Sequence, residues 1–199
     1  ITFDDGYADN AEVALPLLVK HDIPATFYLT SGFVGTAREQ LQDELERLLL
    51  LSPHCPDSLR LTVGGKTFVW AMRLCDTGES LGTLSSGWNV EARTDPTPRH
   101  RTHREIHNLM RALSPGEREC VFKQLRSQCG DSGLARSTHC ALSWDQARQV
   151  GTCELAELGA HTVSHPFLSA LPLKEQRAEI LESKQAIEKQ IGQQVTSFA

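Results

Sequence analysis

The chain has little that suggests a membrane-bound or nucleic-acid-binding protein. It contains no run of about 18 consecutive apolar residues, so the sequence predicts no membrane span. Its formal net charge is -5, which gives no general electrostatic attraction for nucleic acid or for an anionic membrane surface. We therefore expect no nucleic-acid partner. With 40% hydrophobic residues among 199, the composition is that of a globular chain with a substantial core.

Cysteines are present, but none of them forms a CxxC pair. At this chain length the spacing does not predict a disulfide scaffold, and free, partly buried thiols are expected instead. No signal peptide is visible, yet the first residue is Ile1 and already resembles the interior of a strand. We therefore expect the natural N-terminus to lie before it. The six cysteines are Cys55, Cys75, Cys120, Cys129, Cys140 and Cys153.

The first 36 residues alternate between strand and helix patterns. Residues 1–3 and 25–29 are rich in strand formers, and residues 10–20 carry apolar positions at helical spacing with Asn10 as a candidate N-cap. Pro16 is unfavourable in the middle of that helix and predicts a kink or a late start. A strand–helix–strand order predicts a parallel sheet and an α/β fold.

Residues 37–140 interrupt this alternation, and we interpret them as a mainly helical insertion with one β-hairpin. After the insertion the pattern resumes with a capping box at Ser143, a strand at residues 157–160, a long helix at residues 173–191 and the start of a strand at residues 195–199. The core domain is thus predicted to comprise residues 1–36 and 141–199. Within the insertion, a helix, a hairpin, a loop and a second helix are expected at residues 38–51, 59–70, 76–98 and 115–129.

Two adjacent aspartates, Asp4 and Asp5, follow the first predicted strand. Carboxylates at the end of an apolar strand are costly to bury unless a metal ion or a basic group accompanies them. Gly6 lets the chain turn sharply, so both carboxylates can face the same side. A helix-capping pair or a solvated turn remains the alternative interpretation of this dipeptide alone.

Two histidines, His161 and His165, follow a later predicted strand. Their i, i+4 spacing places both imidazoles on one face of a helical turn, within reach of one metal ion. Pro166 favours a turn over a long helix. Two unrelated surface histidines are the alternative. A zinc-protease motif is excluded because Thr162 stands where that motif needs glutamate.

Together the two clusters predict more than either does alone. One aspartate and two histidines supply three ligands and leave a position for water, as in catalytic zinc sites. The other aspartate is then available as a base. Because the carboxyl ends of parallel strands share one face, the long separation in sequence does not prevent the clusters from meeting.

The segments Thr2-Phe3-Asp4-Asp5-Gly6-Tyr7 and His161-Thr162-Val163-Ser164-His165-Pro166 resemble the first two motifs of the NodB-type polysaccharide deacetylases, carbohydrate esterase family 4. The resemblance covers residues 1–35 and 141–199 and implies part of a distorted (β/α) barrel. It also implies roles: Asp4 is the catalytic base, and Asp5, His161 and His165 bind a divalent metal ion, with Zn²⁺ preferred.

The resemblance also implies what this chain lacks. The family's third motif is expected to begin about where the chain stops, at Ala199. We therefore expect the general-acid histidine, and the groups that orient the metal-binding histidines, to lie downstream. None of the histidines of the insertion takes the acid role, and the 199-residue piece is expected to be weakly active or inactive by itself.

The predicted function is metal-assisted hydrolysis of acetyl groups, either N-acetyl or O-acetyl, on an acetylated polysaccharide or oligosaccharide. Three other functions were considered. A metal-dependent hydrolase acting on a non-sugar amide would share the site, and a non-catalytic carbohydrate-binding relative would not need a base beside the metal. A phosphatase with an aspartate nucleophile would have its aspartates two positions apart, whereas these are adjacent.

Overall fold

A computed structural model describes residues 1–73 and 87–199. The chain forms two compact units: a sheet unit, Ile1–Gln40 with Leu134–Ala199, and a helix–hairpin unit, Leu41–Gly133. The main elements are β1 (Thr2–Phe3), α1 (Leu15–Lys20), β2 (Ala25–Leu29), α2 (Leu41–Glu46), β3 (Ser58–Val63), β4 (Lys66–Ala71), α3 (Pro98–Arg111), α4 (Pro115–Cys129), α5 (Trp144–Gly151), β5 (Ala156–Ala160) and α6 (Leu173–Ile191).

The sheet unit is built on three parallel strands in the order β1-β2-β5. The alternate side chains of β2, Ala25, Phe27 and Leu29, are buried, as the period-2 pattern of a strand requires. Phe3 of β1 stacks on Phe27 with ring centroids 5.0 Å apart. The α/β class expected from the sequence is confirmed by this parallel sheet with its helices.

The first helix departs from the sequence expectation at its start. Asn10 is buried inside a π-helical turn, Asn10–Ala14, and is not an N-cap; the preceding Asp9 caps nothing with its side chain. The α-helical turns begin at Leu15, next to Pro16, and continue directly from the π-helical turn, because Ala14 and Leu15 both keep helical backbone angles. The helical run thus covers residues 10–20 as predicted, and its irregularity, a π turn, lies directly before Pro16.

Helix ends elsewhere follow local sequence signals. The side chain of Ser114 caps α4 and Glu117 returns the bond, and Ser143 with Gln146 does the same for α5. Both are capping boxes as predicted. Helices α4 and α6 end at Gly130 and Gly192 in the left-handed conformation that glycine adopts most readily.

The helix–hairpin unit has a core of its own. Strands β3 and β4 form the predicted antiparallel hairpin around Gly64 and Gly65, both at positive φ. Leu59 and Leu61 of β3 are fully buried and pack with apolar residues of the helices. The first helix of this unit begins at Leu41, not at residue 38, and continues through a π turn to Leu51.

Helix α3 was not predicted. The sequence suggested a loop over residues 76–98, of which residues 74–86 lie outside the described part of the chain. The helix begins at Pro98, and the hydroxyl oxygen of Thr97 accepts a hydrogen bond from the backbone N–H of His100. A threonine followed by proline is an N-terminal signal that could have located this helix.

Three further expectations can be compared with the structure. The cysteines of the described residues are free thiols, as expected; Cys75 lies outside these residues. The strand expected at residues 195–199 is only an isolated parallel bridge between Ala160 and Phe198. Within residues 1–73 and 87–199, no helix is both long and apolar enough to cross a membrane.

Candidate functional site

Asp4 and Asp5 lie in a tight turn directly after β1. The backbone N–H of Gly6 donates to the carbonyl of Asp4 at 3.0 Å, and both Asp5 (φ 74°) and Gly6 (φ 85°) have positive φ. Aspartate and glycine are among the residues that adopt positive φ most readily, so the Asp5-Gly6 pair is suited to this turn. The N–H of Leu142 donates to the Gly6 carbonyl at 2.9 Å. The Asp4 side chain faces solvent and Asp5 is half-buried.

His161 follows the last residue of β5, and both its backbone and its ring are anchored. Its N–H donates to the carbonyl of Leu29 at 3.0 Å, which fixes it to the end of β2. Its ring Nδ1 lies 2.6 Å from the carbonyl oxygen of Ala199. Because a carbonyl can only accept, Nδ1 carries the proton, and in the neutral ring Nε2 presents a lone pair.

The segment between the two histidines is a loop, not the helical turn that the i, i+4 spacing suggested. Thr162 (φ 64°) and His165 (φ 51°) both have left-handed backbone conformations. The Thr162 hydroxyl donates to the carbonyl of His161 and accepts the N–H of His165 at 3.0 Å. This local bridge brings the two rings to a centroid separation of 5.0 Å.

The three side chains predicted as metal ligands converge. Oδ1 of Asp5 lies 3.4 Å from Nε2 of His161 and 3.3 Å from Nε2 of His165. One ligand atom from each of the three residues lies within 4.8 Å of the others. In a tetrahedral zinc site with bonds of about 2.0–2.1 Å, neighbouring ligand atoms are about 3.3 Å apart. The arrangement of these three ligand atoms therefore fits a zinc-sized ion.

The site is electrostatically suited to a positive charge. The contact with the Asp5 carboxylate raises the pKa of His161; burial opposes this effect, while the Ala199 carbonyl and the charges of Asp5 and Asp4 add to it. Asp4 thus lies close enough for its charge to act on the His161 ring. A cation bound among these groups would be stabilised by the same carboxylate charges that favour the protonated form of His161.

Two elements of the site were not anticipated from the sequence. The group that orients His161 was expected downstream of the chain, but the carbonyl of Ala199 lies within it. The carboxylate of Glu179 accepts hydrogen bonds from the loop between the histidines. An acidic residue in the middle of a charged helix carries no pattern that distinguishes it from its neighbours.

The histidines of α3 belong to the helix–hairpin unit, where His100 and His103 pack edge-on against Trp88.

A parallel sheet with a two-aspartate turn and a two-histidine loop at its strand ends agrees with the family comparison. The family model described as Polysaccharide deacetylase matches residues 1–54 and 125–199. The chain belongs to the polysaccharide deacetylase family, as its two motifs predicted.

A curated relative supports the same assignment. The chain is 34% identical over 65 residues to YxkH of Bacillus subtilis (strain 168), whose name assigns it provisionally as a polysaccharide deacetylase. The matched segment covers 31% of this chain and 23% of YxkH, so the match spans only about a quarter of that relative's length. No solved structure matches the chain.

Proposed function

We propose that this chain carries the metal-binding and base side of a deacetylase site that removes N-acetyl or O-acetyl groups from a polysaccharide. The observation that carries the proposal is the convergence of Asp5, His161 and His165. These residues come from two strand ends far apart in sequence, and Asp4 stands beside them. Family membership supports a carbohydrate substrate, and acetylated chito-oligosaccharides are a suitable probe.

In this proposal Asp5, His161 and His165 hold a divalent cation, Zn²⁺ before others, because two imidazoles and one carboxylate are common ligands of catalytic zinc. When bound, such a cation polarises an acyl oxygen and lowers the pKa of a neighbouring water. The hydrogen bond from Nδ1 of His161 to Ala199 keeps Nε2 available as a ligand atom.

Asp4 is the proposed general base. Its side chain is exposed, so water and substrate can reach it, and it lies next in sequence to a proposed ligand. As a water molecule attacks the acetyl carbon, the Asp4 carboxylate accepts one of its protons. The amine or alcohol that leaves must then be protonated.

We further propose that the sheet unit is part of a distorted (β/α) barrel and that the helix–hairpin unit is inserted into it. The family match leaves out residues 55–124. On either side of the inserted segment, the N–H of Ala135 donates to the carbonyl of Ala37 at 3.0 Å, and Arg136 bonds to the Glu39 carboxylate through its backbone N–H and side chain. These bonds close the sheet unit at the point of insertion.

The proposal is tested by measuring zinc affinity and acetate release from an acetylated chito-oligosaccharide for the wild type and three variants. Asp5→Asn should weaken zinc binding strongly. Asp4→Asn should bind zinc like the wild type but release acetate about 10²–10⁴ times more slowly, the usual contribution of a general base. Asp9→Asn is the matched control, because Asp9 is an exposed aspartate five residues after Asp4.

Two results would contradict the proposal. If the wild type binds no divalent cation at micromolar concentration, or if Asp5→Asn binds zinc equally well, the metal site is wrong. If the wild type releases acetate measurably and Asp4→Asn, like Asp9→Asn, releases it at the same rate, Asp4 is not the base. Release of acetate from small non-sugar amides, with none from the oligosaccharide, would assign the site to another amide substrate.

A further inference from the structure

The loop that carries both histidines holds a backbone conformation that its own sequence does not favour. Thr162 and His165 have φ of 64° and 51°, a region that residues with a Cβ rarely occupy. Strained backbone of this kind persists only where surrounding groups hold it. The contacts around the loop therefore determine where the two imidazoles lie.

One of those contacts is a carboxylate on α6. Oε2 of Glu179 accepts the backbone N–H groups of Val163 and Ser164 at 2.8 and 2.9 Å. Oε1 of the same side chain accepts the Ser164 hydroxyl at 2.7 Å. A single half-buried carboxylate thus receives three donors from the two central residues of the loop. Hydrogen bonds to a charged acceptor are stronger than those between neutral groups.

The opposite side of the loop is held by the segment after β2. The N–H groups of Ser31 and Gly32 donate to the carbonyls of Thr162 and Val163 at 3.1 and 2.9 Å. A Cβ at Gly32 would lie 2.5 Å from the Val163 carbonyl oxygen, so only glycine permits this approach. The loop is therefore fixed from both sides, by amides on one and by Glu179 on the other.

Helix α6 is itself anchored, which makes Glu179 a fixed point. Ile187 is fully buried in the core of the sheet unit. Further along, the carboxylate of Glu188 accepts the N–H of Val195 at 3.0 Å and the side chain of Lys184 at 2.6 Å. The helix thus cannot shift along its axis without breaking contacts made at its other end.

We propose that Glu179 is a positioning residue for the metal site, which acts through the loop and sets the separation of the His161 and His165 rings. Glu179 is not among the three proposed ligands. The inference rests on the proposed metal-binding function and extends it, because nothing in the two motifs points to α6. Groups that orient ligands typically contribute about 10–100-fold to metal affinity.

The test is a competition titration of zinc against a chromophoric chelator, with the melting temperature of the metal-free protein measured in parallel. Glu179→Ala should bind zinc about 10–100-fold more weakly. Glu179→Gln retains one oxygen that can accept both amides, so it should recover part of the affinity. Ser164→Ala removes one bond of three and should have a small effect. Glu182→Ala, an exposed acid on the same helix, should match the wild type.

The outcomes distinguish failure of the positioning role of Glu179 from failure of the proposed metal site. Wild-type protein that binds no zinc would contradict both the proposed metal site and the positioning role. Wild-type protein that binds zinc, with Glu179→Ala equally tight, would overturn only the positioning role. A lower melting temperature with unchanged zinc affinity in the folded variants also overturns it, since Glu179 would then be merely structural. If Glu179→Ala does not fold, Glu179→Gln and Ser164→Ala decide, and unchanged affinity in both overturns the inference.

Discussion

Acid should weaken the helix–hairpin unit through one buried histidine, His103. Its side chain is 5% exposed, and its Nδ1 finds no hydrogen-bond partner among the described residues. Burial, and then the nearby charges of His107, His100 and Arg104, lower its pKa from 6.5 to about 4. The folded protein therefore keeps this imidazole neutral where the unfolded chain has already protonated it.

The sign and size of the effect follow from proton linkage. Between pH 6.5 and 4 the unfolded chain binds more protons than the folded protein, so the free energy of unfolding falls as the pH falls. The stabilisation associated with a neutral His103 is fully present above about pH 6.5. A shift of this size corresponds to about 3 kcal/mol across the window. His100 and His107 also have lowered pKa values, mainly from burial, and add in the same direction.

The measurement is urea unfolding from pH 7.5 to 4.5 for the wild type, His103→Gln and His54→Gln. Carboxylates titrate in all three proteins, so the difference between curves isolates the histidine. We expect the wild type to lose more stability than His103→Gln as the pH falls, and to lose as much as His54→Gln, whose histidine is exposed in the same unit. Parallel curves for the wild type and His103→Gln, or an NMR titration of His103 near 6.5, would refute the reasoning.

Three further predictions concern the sheet unit. Gly32→Ala should destabilise the chain by about 1–3 kcal/mol, because the new Cβ meets the Val163 carbonyl oxygen. The control Gly116→Ala, in open space near the start of α4, should not lower the melting temperature. Phe27→Ala should cost about 3–5 kcal/mol in urea unfolding, since its ring is fully buried. Replacement of residues 41–133 by a short Gly/Ser linker should leave a sheet unit that unfolds cooperatively and keeps its zinc affinity, and an unfolded product by circular dichroism would contradict this.

Sequence reasoning succeeded where the cause of the structure is local. Ser114 and Ser143 open helices because their side chains reach amides three residues ahead, and that reach is visible in the spacing. The parallel sheet followed from the order of short apolar runs, since consecutive strands joined by a helix pair in parallel. The convergence of His161 and Asp5 was expected because both follow strands of one sheet.

Sequence reasoning failed where the structure is caused by a contact between segments that are far apart in the chain. No local pattern shows that Thr162 takes a positive φ, because its loop is held by contacts with Ser31, Gly32 and Glu179, which are far away in sequence. The bond between Glu179 and the histidine loop likewise depends on how α6 packs on the sheet. The i, i+4 spacing indicated a helical turn, whereas a strained loop brings His165 to His161.

The hydrogen bond between Ala37 and Ala135 bears on the order in which the protein folds. Strand β2 must find β5 across the whole intervening segment, and the entropy lost in closing so long a flexible loop opposes that pairing. If the helix–hairpin unit forms first around its own core, the free chain that remains to be closed is much shorter. Pairing between residues that are far apart in sequence is then faster. Early formation of the helix–hairpin unit would accelerate assembly of the sheet, and the candidate metal site could form only once β2 and β5 had paired.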